Sequence, residues 1–263
     1  MTRIALIGDL HANLPALEAV LAAIDARGDI AATYHVGDLV GYAPWPDETV
    51  ALVRARGIAG VSGNYDSTVA LGYKHCGCKY EDPRQEALSH LSFEWTKANT
   101  GAETKRALGE LPFSLAVRPS GGHAAGPQLV IVHGTPVLNT VYWHADRTDD
   151  FCRSMAALVG LKPGDVIAFG HTHKAWHRVV DGMHFVNCGA AGRPKDGDWR
   201  TGFVTLAFGA EVSVEFHRLP YDIERAAGAI VASTLPDEFA EFLRTGGTLA
   251  PSAAPAPSRT DIP

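Results

Sequence analysis

The sequence has few cysteines and no long apolar run, and both shortages bear on where the protein works. Cysteine occurs only at positions 76, 78, 152 and 188 of 263 residues. So few cysteines do not resemble a disulfide framework and favour a reducing compartment. No stretch approaches the roughly 20 apolar residues of a membrane span, and the amino-terminal apolar run is too short for a signal peptide. We therefore expect a cytoplasmic protein without a membrane partner.

An excess of positive charge is also lacking. The chain has 23 Lys and Arg against 29 Asp and Glu, which gives a net charge of −6. Such a chain has no general attraction for nucleic acid or anionic membranes, so general nucleic-acid binding is not expected. A phosphate-bearing ligand would need a local site, which cations could supply. The sequence leaves the oligomeric state open.

Apolar segments of two different periods alternate along the chain. Strands alternating with helices predict βαβ units with a largely parallel sheet. Turn residues at 181–182 and 209–210 predict two hairpins. Strands are predicted over 3–7, 33–36, 57–61, 113–117, 128–132, 166–169, 177–180, 184–187, 204–208 and 212–216, and helices over 14–26, 46–56, 84–108, 223–232 and 236–245.

Two stretches lack any period. Residues 246–263 are rich in Pro, Ala and Ser and predict a disordered tail after a domain that spans 1–245. Residues 73–83 are polar and contain His75, Cys76 and Cys78. A zinc site there would need a fourth ligand that the sequence does not supply, so we favour a surface insertion with free thiols.

Polar side chains of similar chemistry follow five of the apolar segments. In an open α/β sheet the carboxyl ends of parallel strands lie along one edge, so residues far apart in sequence can meet there. Each motif alone has an ordinary explanation as a helix cap, a turn or a structural histidine. Together they predict a ligand site. The residues are Asp9 and His11 in GDLH, Asp38 in GDL, Asn64 in GNYD, His133 in VHG, and His171 and His173 in GHTH.

The order of these motifs resembles the calcineurin-like metallophosphoesterases, whose pattern is D-x-H, G-D, G-N-H-[DE], G-H and G-H-x-H. A weaker similarity continues through the Asn and Gly-rich turn at 187–191. The resemblance implies an α/β fold, a four-layer αββα sandwich in which helices flank two mixed β-sheets. It also implies two divalent metal ions, with Asp9, His11 and His173 on one ion, Asn64, His133 and His171 on the other, and Asp38 bridging both.

The implied chemistry is hydrolysis of a phosphoester. Two metal ions bind phosphate oxygens and acidify a bridging water, so that a metal-bridging hydroxide attacks phosphorus. Carboxylate, imidazole and amide ligands without thiolate favour Mn, Fe or Zn but do not select among them.

Tyr65 stands where the family pattern has histidine. A phenol has a pKa near 10, so it can donate a hydrogen bond but does not carry positive charge at neutral pH. A phosphodiester has one negative charge fewer than a monoester dianion, which favours a phosphodiesterase acting on a small or flexible diester, cyclic nucleotides included. Tyr65, Asp66 and Asn64 are therefore the candidate catalytic residues, and Asp66 is alternatively a turn or helix cap.

Other features leave alternatives open. His144, Arg147, Arg193 and Lys195 are candidate phosphate contacts or solvated surface charges. The aromatic run at 141–144 has two interpretations. It covers the site and stacks on a base of the substrate, or it only packs in the core or on the surface. The competing functions are a phosphomonoesterase, a nucleotide pyrophosphatase or a protein phosphatase on the same site, and a non-catalytic metal-binding scaffold.

Overall fold

The computed structural model describes residues 1–79, 82–119 and 126–248. Its strands are β1 Thr2–Ile7, β2 Ala32–His35, β3 Ala59–Gly60, β4 Ser114–Val117, β5 Leu129–Val132, β6 Val166–Phe169, β7 Trp176–Val180, β8 Met183–Asn187, β9 Thr201–Phe208 and β10 Val212–Leu219. Its helices are α1 Leu14–Arg27, α2 Pro46–Ala55, α3 Asn64–Ala70, α4 Pro83–Asn99, α5 Ala102–Gly109, α6 Asp149–Leu158, α7 Ile223–Ala232 and α8 Glu238–Arg244.

Two five-stranded mixed sheets form the centre of the fold. Their strand orders are β10-β9-β1-β2-β3 and β4-β5-β6-β8-β7. Strands β1, β2 and β3 are parallel to one another, and so are β5, β6 and β8. The hairpins predicted at 181–182 and 209–210 are confirmed, because β7 pairs antiparallel with β8 and β9 with β10. Loops that follow the parallel strands therefore leave each sheet at the same edge.

Each sheet has apolar side chains on both faces. Along β1, Ile4 and Leu6 enter the core between the sheets, whereas Ala5 and Ile7 enter the core under helices such as α1 and α7. The outer face of the second sheet packs on α6, where Cys152 joins the apolar cluster of that face. This alternation gives four layers and confirms the predicted αββα sandwich.

The structure contains two helices that the sequence analysis lacks. The seven residues of α3 are too few to show a helical period. Helix α6 did have a recognisable start, because the Thr148 side chain accepts a hydrogen bond from the Phe151 amide at 3.2 Å and two aspartates follow it.

Two predicted elements have different bounds. The helical region predicted over 84–108 is two helices, because the chain turns at Gly101, whose amide donates to the Asp47 carboxylate at 2.9 Å. The strand predicted over 57–61 is reduced to Ala59–Gly60.

The first two residues after the predicted boundary at 245 are hydrogen-bonded to the domain. The Gly197 amide donates to the Gly246 carbonyl at 2.9 Å, and the Gly247 amide donates to the Phe242 carbonyl at 2.8 Å. The tail prediction over 249–263 lies outside the described residues. Among the helices that the described ranges form, none has the length and apolar character that crossing a membrane requires.

Candidate metal centre

The seven predicted ligand residues meet at one place, at the carboxyl ends of β1, β2, β3, β5 and β6. Five separate loops carry them there, as the motif positions predicted. None of the seven is more than 3% exposed. They fall into two groups of side chains, here called the first group and the second group.

The first group consists of Asp9, His11 and His173, whose ligand atoms all lie within 4.8 Å of one another. The Nε2 atoms of His11 and His173 are 3.0 Å apart. Oδ1 of Asp9 is 3.7 Å from Nε2 of His173. Asp9 also ties two loops together, because both of its carboxylate oxygens accept from the His171 amide at 3.1 Å.

The second group consists of Asp38, His133 and His171, with Asn64 beside them. Nε2 of His133 lies 3.3 Å from Oδ2 of Asp38, 3.2 Å from Nδ1 of His171 and 3.1 Å from Oδ1 of Asn64. Oδ2 of Asp38 is also 3.7 Å from Nε2 of His11. Asp38 is therefore within reach of both groups.

Backbone carbonyls orient three of the four imidazoles. Because a carbonyl oxygen only accepts, each Nδ1 carries the hydrogen, and Nε2 presents a lone pair to the centre wherever the ring is neutral. The three bonds run from His11 to Val40 at 3.0 Å, from His133 to Val36 at 2.9 Å and from His173 to Arg193 at 2.7 Å.

This arrangement fits a bound cation. The Nε2 lone pairs of His11 and His173 face each other at 3.0 Å, and a positive ion between them would remove their mutual repulsion. Two nitrogens bound to one ion at about 2.0–2.1 Å lie about 3.3–3.4 Å apart in tetrahedral geometry and about 2.9 Å apart at a right angle, so the observed separation is close to that of two ligands on one ion. The carboxylate, imidazole and amide donors suit first-row divalent ions.

The ionisation of the buried side chains also suits a cation. Burial lowers the pKa of His11 and of His171 to about 3, so both rings are neutral at pH 7 and available as ligands. Burial opposes the charge on His133, but the facing Asp38 carboxylate raises its pKa to about 9. A metal ion at the second group would therefore replace the proton that His133 carries beside the ionised Asp38.

The backbone is strained at the same residues. Among the described residues, seven non-glycine residues have positive φ, and four of them are predicted ligands. Such values are uncommon outside glycine and tend to persist at functional sites, where the surroundings hold them. The four are His11 at 47°, Asp38 at 51°, His171 at 64° and His173 at 59°.

Gly63 is required for close approach rather than for turning the chain. Its φ is −75°, a value open to any residue. A Cβ at this position would lie 2.0 Å from Oδ1 of Asp38 and 2.2 Å from its amide nitrogen. The lack of a side chain therefore lets the loop that carries Asn64 lie against the loop that carries Asp38.

Asp66 joins the same two loops. Its carboxylate accepts from the Leu39 amide at 2.8 Å and from the Gly63 amide at 3.0 Å, at the start of α3. Of the two roles considered for Asp66, these contacts support the helix cap.

Tyr65 is fully buried, and its ring lies edge-on to His11 with the ring centroids 5.6 Å apart. Its hydroxyl donates to the Ser89 carbonyl at 3.3 Å and lies 3.5 Å from Oγ of Ser92, both on α4. The ring therefore lines the centre while the hydroxyl is bonded to the neighbouring helix.

The four candidate phosphate contacts have different positions. Lys195 lines the centre and is partly buried, and burial lowers the pKa of its ammonium to about 8. Arg193 is buried beside the centre, with its guanidinium over the Tyr42 ring at 3.9 Å. His144 and Arg147 are exposed, and Arg147 donates to the Tyr142 carbonyl at 3.3 Å.

The loop with the two cysteines is exposed at most of its described residues and has free thiols, as expected, but part of it also reaches the centre. Cys76 is 4% exposed, and Cys78 lines the centre. The amide nitrogen of Asn64 donates to the Cys76 carbonyl at 3.0 Å and to Sγ of Cys78 at 3.2 Å, so Oδ1 of Asn64 faces His133. Neither cysteine belongs to the clusters of metal-ligating side chains found among the described residues.

The residues of the aromatic run are divided between the centre and the core. Tyr142 lines the centre and stacks on His171, with the ring centroids 4.3 Å apart. Trp143 is fully buried and stacks on Phe169 at 4.3 Å in the core under α6. His144 stacks on the far side of Tyr142 at 5.7 Å, one ring removed from His171.

Asn187 fixes the loop that carries His171 and His173. Its amide nitrogen donates to the Gly170 carbonyl at 2.9 Å and to Oγ1 of Thr172 at 3.0 Å. Its oxygen accepts from the Gly189 amide at 2.9 Å. Asn187 is fully buried, and its bonds join the loop at 170–173 to the turn at 187–189.

Comparison with known proteins agrees with this geometry. The calcineurin-like phosphoesterase superfamily domain matches residues 2–209. An uncharacterized protein of Methanocaldococcus jannaschii is 28% identical over 266 residues, which cover 92% of this chain and 98% of that protein.

Two solved structures are similar over nearly the whole chain. A metallophosphoesterase from Sphaerobacter thermophilus is 28% identical with a TM-score of 0.70, over 93% of this chain and 99% of that one. A hypothetical protein from Pyrococcus horikoshii has the same fold, with 21% identity and a TM-score of 0.80. The similarity covers 95% of this chain and 100% of that one. The chain therefore belongs to the calcineurin-like phosphoesterase superfamily.

Proposed function

We propose that this protein is a phosphodiesterase that hydrolyses a small phosphodiester with two divalent metal ions, manganese, iron or zinc. The observation that carries the proposal is the position of Asp38, whose Oδ2 lies 3.3 Å from His133 of the second group and 3.7 Å from His11 of the first. Two ions bound by these groups would supply Lewis-acid activation of the phosphoryl group and a water-derived nucleophile.

The side chains around the ligands support a phosphoryl substrate. The ammonium of Lys195 lines the centre and would pair with a phosphoryl oxygen, since charge-assisted hydrogen bonds to phosphate are strong. Tyr142 and Cys78 line the opening of the same space. Because these residues leave little room above the ligands, the arrangement favours a small or flexible substrate.

The preference for a diester rests on position 65. Neither Tyr65 nor Asp66 adds an imidazolium to the centre, and a diester needs less positive charge around its phosphate than a monoester dianion does. Tyr65 as a proton donor remains a hypothesis that requires its hydroxyl to leave Ser89. A cytoplasmic location is part of the proposal and rests on the few cysteines.

Paired chromogenic esters test the function. The metal-free protein is reloaded with manganese, iron or zinc, and kcat/KM is measured for bis(4-nitrophenyl) phosphate and 4-nitrophenyl phosphate. We expect the diester to be the better substrate with at least one metal. A better monoester would identify a phosphomonoesterase. No turnover of either ester by protein that holds two ions would identify a non-catalytic scaffold.

Tyr65→Phe tests the role of the tyrosine. We expect kcat/KM for an activated diester to fall tenfold or less, about 1.4 kcal/mol of barrier, because nitrophenolate needs little protonation. The measurement compares diesters whose leaving groups differ in pKa. An equal loss for all of them indicates that Tyr65 only packs against His11. A loss that grows with the pKa of the leaving group indicates that Tyr65 donates a proton.

A further inference from the structure

A short segment, residues 189–195, contacts the first group. The Gly192 amide donates to the Asp9 carbonyl at 3.0 Å. The Arg193 carbonyl accepts from Nδ1 of His173 at 2.7 Å, the bond that fixes the orientation of this imidazole. Two of the three members of the first group are therefore bonded directly to the 189–195 segment.

The side chain of Arg193 reaches the third member through an aromatic ring. Its guanidinium is 3.9 Å from the centroid of the Tyr42 ring, and Tyr42 lies edge-on to His11 with centroids 5.0 Å apart. On its other side the guanidinium is 3.7 Å from the centroid of Phe242. Arg193 is 3% exposed, so these cation–π contacts are made away from water, where they are strongest.

Phe242 belongs to α8, and α8 lies after residue 209, where the match to the superfamily domain ends. The second group is held by other contacts. His133 donates to the Val36 carbonyl, and Oδ1 of Asp38 accepts from the Tyr65 amide at 2.9 Å. A change in α8 would therefore alter the positions of the first group's side chains more than those of the second group.

We infer that Arg193 is a positioning residue for the first group, and that Phe242 of α8 holds it in place and so sets the affinity of that group for its ion. The inference rests on the proposed function, since it needs a metal ion at each group. Helix α8 is then part of the metal centre rather than an appendage to the domain. Removal of the ring takes away one of the contacts that hold the Arg193 side chain, and the Arg193 carbonyl and the His173 imidazole are held less firmly.

The experiment uses the full chain and Phe242→Leu, which keeps apolar bulk but removes the aromatic face. Because a desolvated cation–π contact is lost, we expect the affinity for one manganese ion to fall by about tenfold and the affinity for the other ion to stay unchanged. Bound manganese is measured at graded free concentrations, and electron paramagnetic resonance separates a coupled pair of ions from a single ion. Phe242→Tyr, which restores an aromatic face, should regain both ions.

Two further variants separate positioning from packing. Leu235→Ala removes a side chain between α7 and α8 that is 4% exposed but lines neither the centre nor the space beside Arg193 and His11, and it should leave both affinities unchanged. In a His11→Ala background, which disables the first group, Phe242→Leu should not alter the affinity of the ion that remains.

The outcomes are distinct. Equal metal loss in Phe242→Leu and Leu235→Ala, or two unchanged affinities in Phe242→Leu, would overturn this inference and leave the proposed function intact. A wild-type chain that binds fewer than two ions would overturn both.

Discussion

Asp38→Asn is expected to lower kcat/KM by about a thousandfold or more, which is about 4 kcal/mol of transition-state stabilisation. Asp38 carries the charge that faces both groups, because its Oδ2 lies near His133 and near His11. Asparagine has almost the same shape, so its side-chain oxygen can still accept from the Tyr65 amide, as Oδ1 of Asp38 does at 2.9 Å. The substitution therefore removes negative charge while keeping the loop in place.

Metal content and kcat/KM are measured on the same preparations. We expect Asp38→Asn to lose at least one of two bound ions, and the metal-free forms of variant and wild type to have similar thermal transitions. The control is Asp25→Asn, since this surface aspartate has a side chain that is 55% exposed and pairs with Arg56. Its activity should stay within about twofold, as surface changes have small effects. Full activity of Asp38→Asn with two bound ions would rule out Asp38 as the shared ligand.

The ligands could be predicted from the sequence because their pattern is local. Each ligand motif stands directly after an apolar strand, and the parallel arrangement of those strands brings their ends together. His133 follows β5 immediately, and His171 is two residues after β6. The same strand pattern predicted the fold, since β1 and β6 contain short continuous apolar runs, whereas the apolar residues of α1 recur at helical spacing.

The cover of the centre could not be predicted in this way. Cys78 meets Asn64 across 14 residues of chain, and the 189–195 segment meets His173 across 20. Neither contact leaves a periodic trace, because loops are fixed by hydrogen bonds and fit rather than by repeated apolar positions. A polar segment with two cysteines is consistent with both a surface loop and a covering loop. The contact between Arg193 and Phe242 likewise joins two side chains that ordinary patterns assign to a surface and to a helix core.

The role of glycine before the ligands is also a matter of contact. The sequence showed Gly63 and Gly170 directly before Asn64 and His171. A Cβ on Gly170 would lie 2.3 Å from Oδ2 of Asp9, just as one on Gly63 would meet Asp38. These positions therefore need the smallest residue because two ligand loops touch there, which only the folded chain shows.

Gly63→Ala is expected to lower kcat/KM by about a hundredfold or more and to weaken metal binding. The new Cβ would start 2.0 Å from Oδ1 of Asp38 and 2.2 Å from the Asp38 amide, so the two loops must separate by about 1 Å to reach an allowed contact. A displacement of that size at a reacting centre costs about a hundredfold. The same overpacking should cost about 1–3 kcal/mol of unfolding free energy.

The matched control for Gly63→Ala is Gly228→Ala in α7, where a Cβ would meet nothing within 4 Å. Because alanine is the better helix residue, this variant should gain about 0.5–1 kcal/mol and keep full activity. Urea unfolding, bound metal and kcat/KM are measured for both variants. If Gly63→Ala kept two ions and activity within a few fold of the wild type, the loops that carry Asp38 and Asn64 would be able to move apart without losing the metal site. The close contact at Gly63 would then not be required to position Asp38 and Asn64.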